Sequence, residues 1–237
     1  MRIDAEHARQ ALAKWEGFPV HRKPRPFVLT EMGVVALDRL KANTRWRALF
    51  DGPGVPESEL PPEIVPAAID YCRDLQTGAP RPLARFIRAN GPFATDRGLR
   101  GLPAWMMYPE DRRWPFIALD PDFKRRMTWW PPGLSAYSDE ESVLADDRRT
   151  LTYRFTGTPK QYADYPYAEV FETDTAVLVK PVVVPLDEPG GIRLAYAEKR
   201  EVVVRLAAPL GNRVLIRLAH GPGSSTFGSP VTVITSA

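Results

Sequence analysis

Thr150–Gly157 reads TLTYRFTG, Glu201–Leu206 reads EVVVRL and Arg213–Leu218 reads RVLIRL. Leu151, Tyr153 and Phe155 alternate with Thr152, Arg154 and Thr156. Val202, Val204 and Leu206 alternate with Glu201, Val203 and Arg205. Val214, Ile216 and Leu218 alternate with Arg213, Leu215 and Arg217. Successive side chains on a strand point to opposite faces, so a period of two sends one set inward. This predicts β-sheet over 150–237 with at least one buried face. Strands are expected near 150–156, 167–173, 175–184, 200–206, 213–218 and 230–235. Pro209-Leu210-Gly211-Asn212 lies between two alternating runs and reads as a hairpin turn. Glu188-Pro189-Gly190-Gly191 reads as another turn. Pro181 and Pro185 lack an N–H for the ladder, which places the long third strand at an edge or beside a bulge.

Upstream of this stretch, Leu83–Ala89 (LARFIRA), Pro103–Tyr108 (PAWMMY) and Trp114–Leu119 (WPFIAL) are short apolar runs. Asn90-Gly91-Pro92, Asp96-Arg97-Gly98 and Pro109-Glu110-Asp111 separate them as turn signals, which predicts a meander. Ser138–Arg149, acidic and then basic, reads as a connector. Further back, Asp4–Trp15 is expected to be a helix capped by Asp4, with Ala5, Ala8, Leu12 and Trp15 on one face and Gly17 at its end. Phe18–Phe27 (FPVHRKPRPF) carries three prolines and should run extended, across the surface or along a sheet edge, with Phe27–Thr30 as a short strand. Val34–Phe50 suits a broken helix, and Gly52-Pro53-Gly54 a turn. Pro62–Gln76 shows the most regular helical stripe: Ile64, Val65, Ala68, Ile69, Cys72 and Leu75.

The composition bounds the class. Hydrophobic residues make up 44% and charged residues 26% of 237, as in a globular chain that buries a core. The 25 prolines imply many short elements and ordered loops. A net charge of +3 does not by itself call for nucleic acid. Residues 1–50 nevertheless hold ten Lys and Arg against five acids, a local +5 that leaves −2 for the remainder. That basic arm is a surface an acidic protein partner could use, but a solvated face is the simpler reading. The lone cysteine, Cys72, excludes an intramolecular disulfide. With no signal-like apolar core near Met1 and no long apolar run, the expectation is a cytoplasmic protein with no membrane span.

Arg149–Pro159 (RTLTYRFTGTP), Ala168–Val179 (AEVFETDTAVLV) and Glu201–Ile216 (EVVVRLAAPLGNRVLI), preceded by Phe93–Trp105 (FATDRGLRGLPAW), resemble segments of uncharacterised actinobacterial proteins. The resemblance covers roughly residues 81–237. It implies a β-rich fold and an actinobacterial source, and it carries no catalytic assignment. Many of those relatives look secreted or lipid-anchored, whereas this chain shows neither a leader nor an acylatable cysteine near Met1.

No stretch of the chain spells out a reaction. His7, His21 and His220 are scattered, and neither a cysteine pair nor HExxH is present, so no metal and no cofactor are expected. The adjacent acids Asp139, Glu140 and Glu141 point in different directions on any regular backbone. Val214–Gly228 (VLIRLAHGPGSSTFG) runs from a strand into a glycine-serine loop. It leads back into strand at Ser229-Pro230-Val231, where a phosphate cradle would open a helix. His220 lies near Ser224 and Ser225, but no GxSxG elbow accompanies them. Trp105, Trp114, Trp129 and Trp130 fall within 26 residues, together with Tyr108 and Phe116. Such rings stack on ligands or fill a core. Asp96 and Arg97 suit a local salt bridge in their turn.

The sequence thus predicts an α+β, β-rich chain of antiparallel sheets with a sandwich-like C-terminal half. A proline-rich, partly helical part spans 1–80 and a β-rich region spans 81–237, divided into a meander with aromatic loop (81–148) and a main sheet (149–237). The expected function is a non-catalytic interaction or accessory module whose protein partner meets basic residues 1–50. The alternative is a small-ligand binder or hydrolase using Trp105, Tyr108, Trp129, Trp130 and His220.

Overall fold

A computed structural model describes residues 2–30, 54–64, 83–109, 116–132, 134, 141–186, 197–218 and 227–235. The helix expected over Val34–Phe50, the body of the helix over Pro62–Gln76 with Cys72, the turn at Glu188–Gly191 and the loop carrying His220, Ser224 and Ser225 lie outside these residues. The chain is β-rich α+β, and it divides into two units. One gathers Met1–Thr30, Asp96–Gly98 and Trp129–Ala237; the other gathers Glu31–Thr95 and Leu99–Thr128.

The first unit is a sandwich with a helix on one outer face. Its strands are β4 (Glu141–Leu144), β5 (Thr150–Gly157), β6 (Ala163–Glu172), β7 (Ala176–Pro185), β8 (Glu198–Arg205), β9 (Val214–Leu218), β10 (Phe227–Pro230) and β11 (Thr232–Thr235). They form two four-stranded sheets, ordered β10-β9-β7-β6 and β11-β4-β5-β8. Alternation assigns each side chain its layer. Leu151, Tyr153 and Phe155 from β5 and Val202 and Val204 from β8 meet Val177, Val179 and Leu215 between the sheets. Ala176 and Leu178 of β7 and Val214, Ile216 and Leu218 of β9 point the other way. They meet Ala8, Ala11, Leu12 and Trp15 of helix α1 (Arg2–Ala13) and the turn that follows it. β7 is therefore buried on both faces along Ala176–Lys180. Each fully buried Val or Leu here is worth about 1.5–3 kcal/mol.

Several expectations need correction. Helix α1 already runs at Arg2, so Asp4 lies within it and is not its cap. Ser138–Arg149 is not merely a connector: Glu141–Leu144 forms β4, paired to β5 on one side and to β11 on the other. Four residues with Ser142 and Leu144 inward are too short a period to stand out from the charged residues around them. Pro209–Asn212 does not close a hairpin. β8 belongs to one sheet and β9 to the other, and the loop crosses between them. The backbone carbonyls of Gly211 and Asn212 there accept from Arg97 and Arg25, at 2.7 and 2.8 Å. The expected strand at 230–235 is two strands. β10 ends at Pro230, the Val231 N–H still donates to the Leu215 carbonyl of β9 at 2.9 Å, and from Thr232 the chain pairs with β4. The sheets are mixed rather than purely antiparallel, since β7–β9 and β4–β11 are parallel pairs. The two prolines of β7 sit where expected. β9 pairs only with Ala176–Val179, so Pro181 and Pro185 occupy the part of β7 that has β6 alone beside it.

In the second unit, β1 (Leu83–Thr95), β2 (Gly98–Pro109) and β3 (Phe116–Leu119) form the predicted meander in the order β1-β2-β3. Asp96-Arg97-Gly98 turns β1 into β2, with Gly98 at φ 83°. Asn90-Gly91-Pro92, in contrast, is no turn: β1 runs straight through it. Gly91 is there for space, because a Cβ would stand 2.8 Å from Ile117 Cγ2 and 3.1 Å from Ala104 Cβ. Helix α2 (Pro121–Met127) follows β3, with the Asp120 carboxylate accepting from the Phe123 N–H at 3.0 Å and Pro121 in the first turn. Among the described residues no helix is long and apolar enough to cross a membrane.

Candidate functional site

The aromatic residues singled out in the sequence fall in both units. Trp105 is 4% exposed and fills the core of the second unit with Leu60, Ile64, Phe86 and Met107. Its indole N–H donates to Asp120 at 3.3 Å, and the Arg88 guanidinium lies 5.6 Å from its ring. Tyr108, half-buried farther along β2, has Arg85 at 6.0 Å from its ring. Trp129 and Trp130 belong to the first unit. Trp129 packs on Trp15 and Phe18 with ring centroids at 5.4 and 5.3 Å. The Trp130 indole N–H donates to the Leu134 carbonyl at 2.5 Å. His220 lies outside the described residues. The turn residue Asp96 is 1% exposed and is ion-paired to Arg25 at 2.5 Å and to Arg97 at 3.6 Å. The local pair read from the sequence is thus part of a larger, buried arrangement. Among the described residues no group of three or more His, Cys, Asp or Glu side chains is placed to hold a metal ion.

A different set of residues forms a half-open groove of about 490 Å³ in the first unit. Arg154, Lys160, Asp164, Tyr165, Lys199, Arg200 and Glu201 line it. Its origin is the β5–β8 register, which sets Arg154 opposite Glu201, Phe155 opposite Arg200 and Thr156 opposite Lys199. The edge strand β6 of the other sheet lies beside β8 and contributes Asp164 and Tyr165. Lys160 enters from the loop between β5 and β6, where Glu198 accepts its backbone N–H at 2.9 Å.

Arg200 is the anchor. It occupies the inward position of β8, in line with Val202 and Val204, and is 8% exposed. A charge in such a place must be satisfied locally. Its Nη1 donates to the Thr158 and Ala163 carbonyls at 3.0 and 3.2 Å, and its Nη2 faces Asp164 at 3.6 Å. The guanidinium stacks 4.9 Å from the Tyr165 ring. Tyr165 is fixed in turn by an edge-on contact with Phe155 at 4.9 Å and by the Thr158 N–H, which donates to its hydroxyl at 2.9 Å. One wall of the groove is therefore rigid.

The other cations are more loosely held. Lys199 donates to the Thr156 hydroxyl at 3.1 Å. Arg154 faces Glu201 at 3.6 Å with both side chains more than half exposed. Exposed pairs of that kind are worth about 0–1 kcal/mol and exchange readily with another anion. Four cations thus outnumber the two carboxylates in the lining. The sequence carries one signal for this site. Extending the alternation of Val202, Val204 and Leu206 back by one step puts Arg200 on the buried face, where an unpartnered Arg does not belong. Comparison of the chain with family models, curated proteins and solved structures finds no match.

Proposed function

We propose that the protein is a non-catalytic interaction module that docks an anionic segment of a partner protein in the groove between β5, β6 and β8. One observation carries the reading: a buried, pre-positioned Arg200 against the Tyr165 ring, with Arg154, Lys160 and Lys199 around it. A cleft whose lining carries net positive charge, here four cations to two carboxylates, concentrates ligands of the opposite sign and speeds their capture. The basic arm of residues 1–50 is a weaker candidate, because Arg25 is turned inward onto Asp96. Cytoplasmic residence fits a chain with a single cysteine. The small-ligand alternative also favours this groove over the aromatic window: its volume suits a small molecule, whereas Trp105 is built into the core.

The test is fluorescence anisotropy of a labelled polyglutamate peptide at low ionic strength, repeated as salt is raised. Binding that weakens with salt, and that Arg154→Ala with Lys199→Ala reduces by about tenfold or more, supports the reading. An anisotropy that stays flat, or one indifferent to the double variant, overturns it.

A further inference from the structure

We infer that the group this groove selects is a phosphomonoester on a partner's side chain, in preference to a carboxylate. The inference rests on the docking reading above. The groove already contains two carboxylates, Asp164 against Arg200 and Glu201 against Arg154. An incoming Glu or Asp would replace one carboxylate by another of the same charge and the same two oxygens, so the exchange gains little. A phosphomonoester carries about −1.5 to −2 charges and three strong acceptor oxygens. It can take up Arg154, Lys160 and Lys199 together, where a carboxylate reaches fewer of them. The resident acids therefore act as a filter that leaves a carboxylate weakly bound and favours a dianion.

The rest of the lining fits a phosphorylated side chain rather than a bare ion. At about 490 Å³ the groove is far larger than one phosphate. The Tyr165 ring gives it an apolar wall for the carbon atoms that bear the ester. Arg200 is largely committed to two backbone carbonyls and to Asp164, so it supplies fixed charge behind the site. The exposed Arg154, Lys199 and Lys160 are the side chains that swing onto the ligand.

The experiment compares labelled peptides identical except at one central residue, which is phosphoserine, glutamate or serine, by anisotropy on the full chain. The phosphoserine peptide is expected to bind about tenfold or more tighter than the glutamate peptide, and the serine peptide not at all. Glu201→Gln removes a resident competitor and should tighten the phosphopeptide several-fold, a gain that a merely structural Glu201 would not give. Arg154→Ala with Lys199→Ala should abolish the preference, and because both side chains are exposed the fold should survive, which circular dichroism checks. Equal affinity for phosphoserine and glutamate peptides, with polyglutamate still bound, overturns this inference and leaves the docking reading intact. Loss of all binding ends both. A single-stranded oligonucleotide that displaces the phosphopeptide at lower concentration assigns the groove to nucleic acid and overturns the inference as well.

Discussion

Arg25 and Asp96, 71 residues apart in the chain, form a buried ion pair with Nη2 and Oδ2 2.5 Å apart. Asp96 also accepts the Val28 N–H at 3.1 Å, and Arg25 Nε donates to the Asn212 carbonyl at 2.8 Å. Arg97 adds donations to the Gly211 and Arg213 carbonyls. The pair thus fastens the proline-rich segment, the Asp96 turn and the crossover loop between the two sheets at one point. Removing Arg25 leaves Asp96 buried with only the longer Arg97 contact at 3.6 Å and the Val28 N–H to offset its charge. Arg25→Ala should therefore lower the unfolding free energy by about 3–5 kcal/mol in urea titrations. A change under about 1 kcal/mol would show that Arg97 or water compensates Asp96 instead.

Gly228 and Trp15 make a second long-range lock. The Trp15 indole N–H donates to the Gly228 carbonyl at 2.8 Å across 213 residues. Gly228 sits at φ 87°, and a Cβ there would stand 3.1 Å from the Ala11 carbonyl oxygen. Gly211 has φ 54°, but its nearest neighbour to a Cβ is 3.7 Å away. Gly228→Ala should cost about 1–3 kcal/mol from strain and displacement of α1, and Gly211→Ala less. Thermal melts of the two variants check the order.

Asp147 controls the β4–β5 turn. The Thr150 N–H, the Arg149 N–H and the Thr150 hydroxyl donate to its carboxylate and hold its pKa down at about 2 from 3.8. A lowered carboxylate stabilises the fold above its unfolded pKa, and that stability is lost as pH falls through the folded value. Stability should therefore decline between about pH 4 and about pH 2, and Asp147→Asn should flatten that slope. Glu172 adds in the same sense. Burial works to raise its pKa, but the Ala207 N–H and the Arg213 guanidinium outweigh burial and lower it. Urea midpoints across this range read the difference. An unchanged slope in the Asn variant would remove Asp147 from the account.

Gly157 supports the groove wall. A Cβ on it would lie 2.8 Å from the Tyr165 hydroxyl and 2.9 Å from the Phe155 ring. Gly157→Ala should push Tyr165 off its position over Arg200 and weaken anion binding several-fold, with a stability loss of about 1–3 kcal/mol from overpacking. Peptide binding that remains at wild-type strength would show that the groove does not need this ring.

The amino-acid sequence determined which way the side chains of β5, β8 and β9 point, because alternation is a property of the strand backbone itself. Leu151, Tyr153, Phe155, Val202 and Val204 face the interior for that reason alone. It also determined the Asp96–Gly98 turn and the edge placement of Pro181 and Pro185, since a positive φ and a missing N–H are local facts. Only the tertiary structure decided which strands become neighbours. Ladder hydrogen bonds join backbone groups that any residue supplies, so no local spacing says that β7 pairs with β9 in parallel or that Leu210–Arg213 crosses between sheets. The groove belongs to this second class. In the sequence Arg154, Lys160, Tyr165, Lys199 and Glu201 are ordinary surface residues and only Arg200 stands out, by its inward position on β8; they form a site because strand pairing and the meeting of two sheet edges bring them to one place.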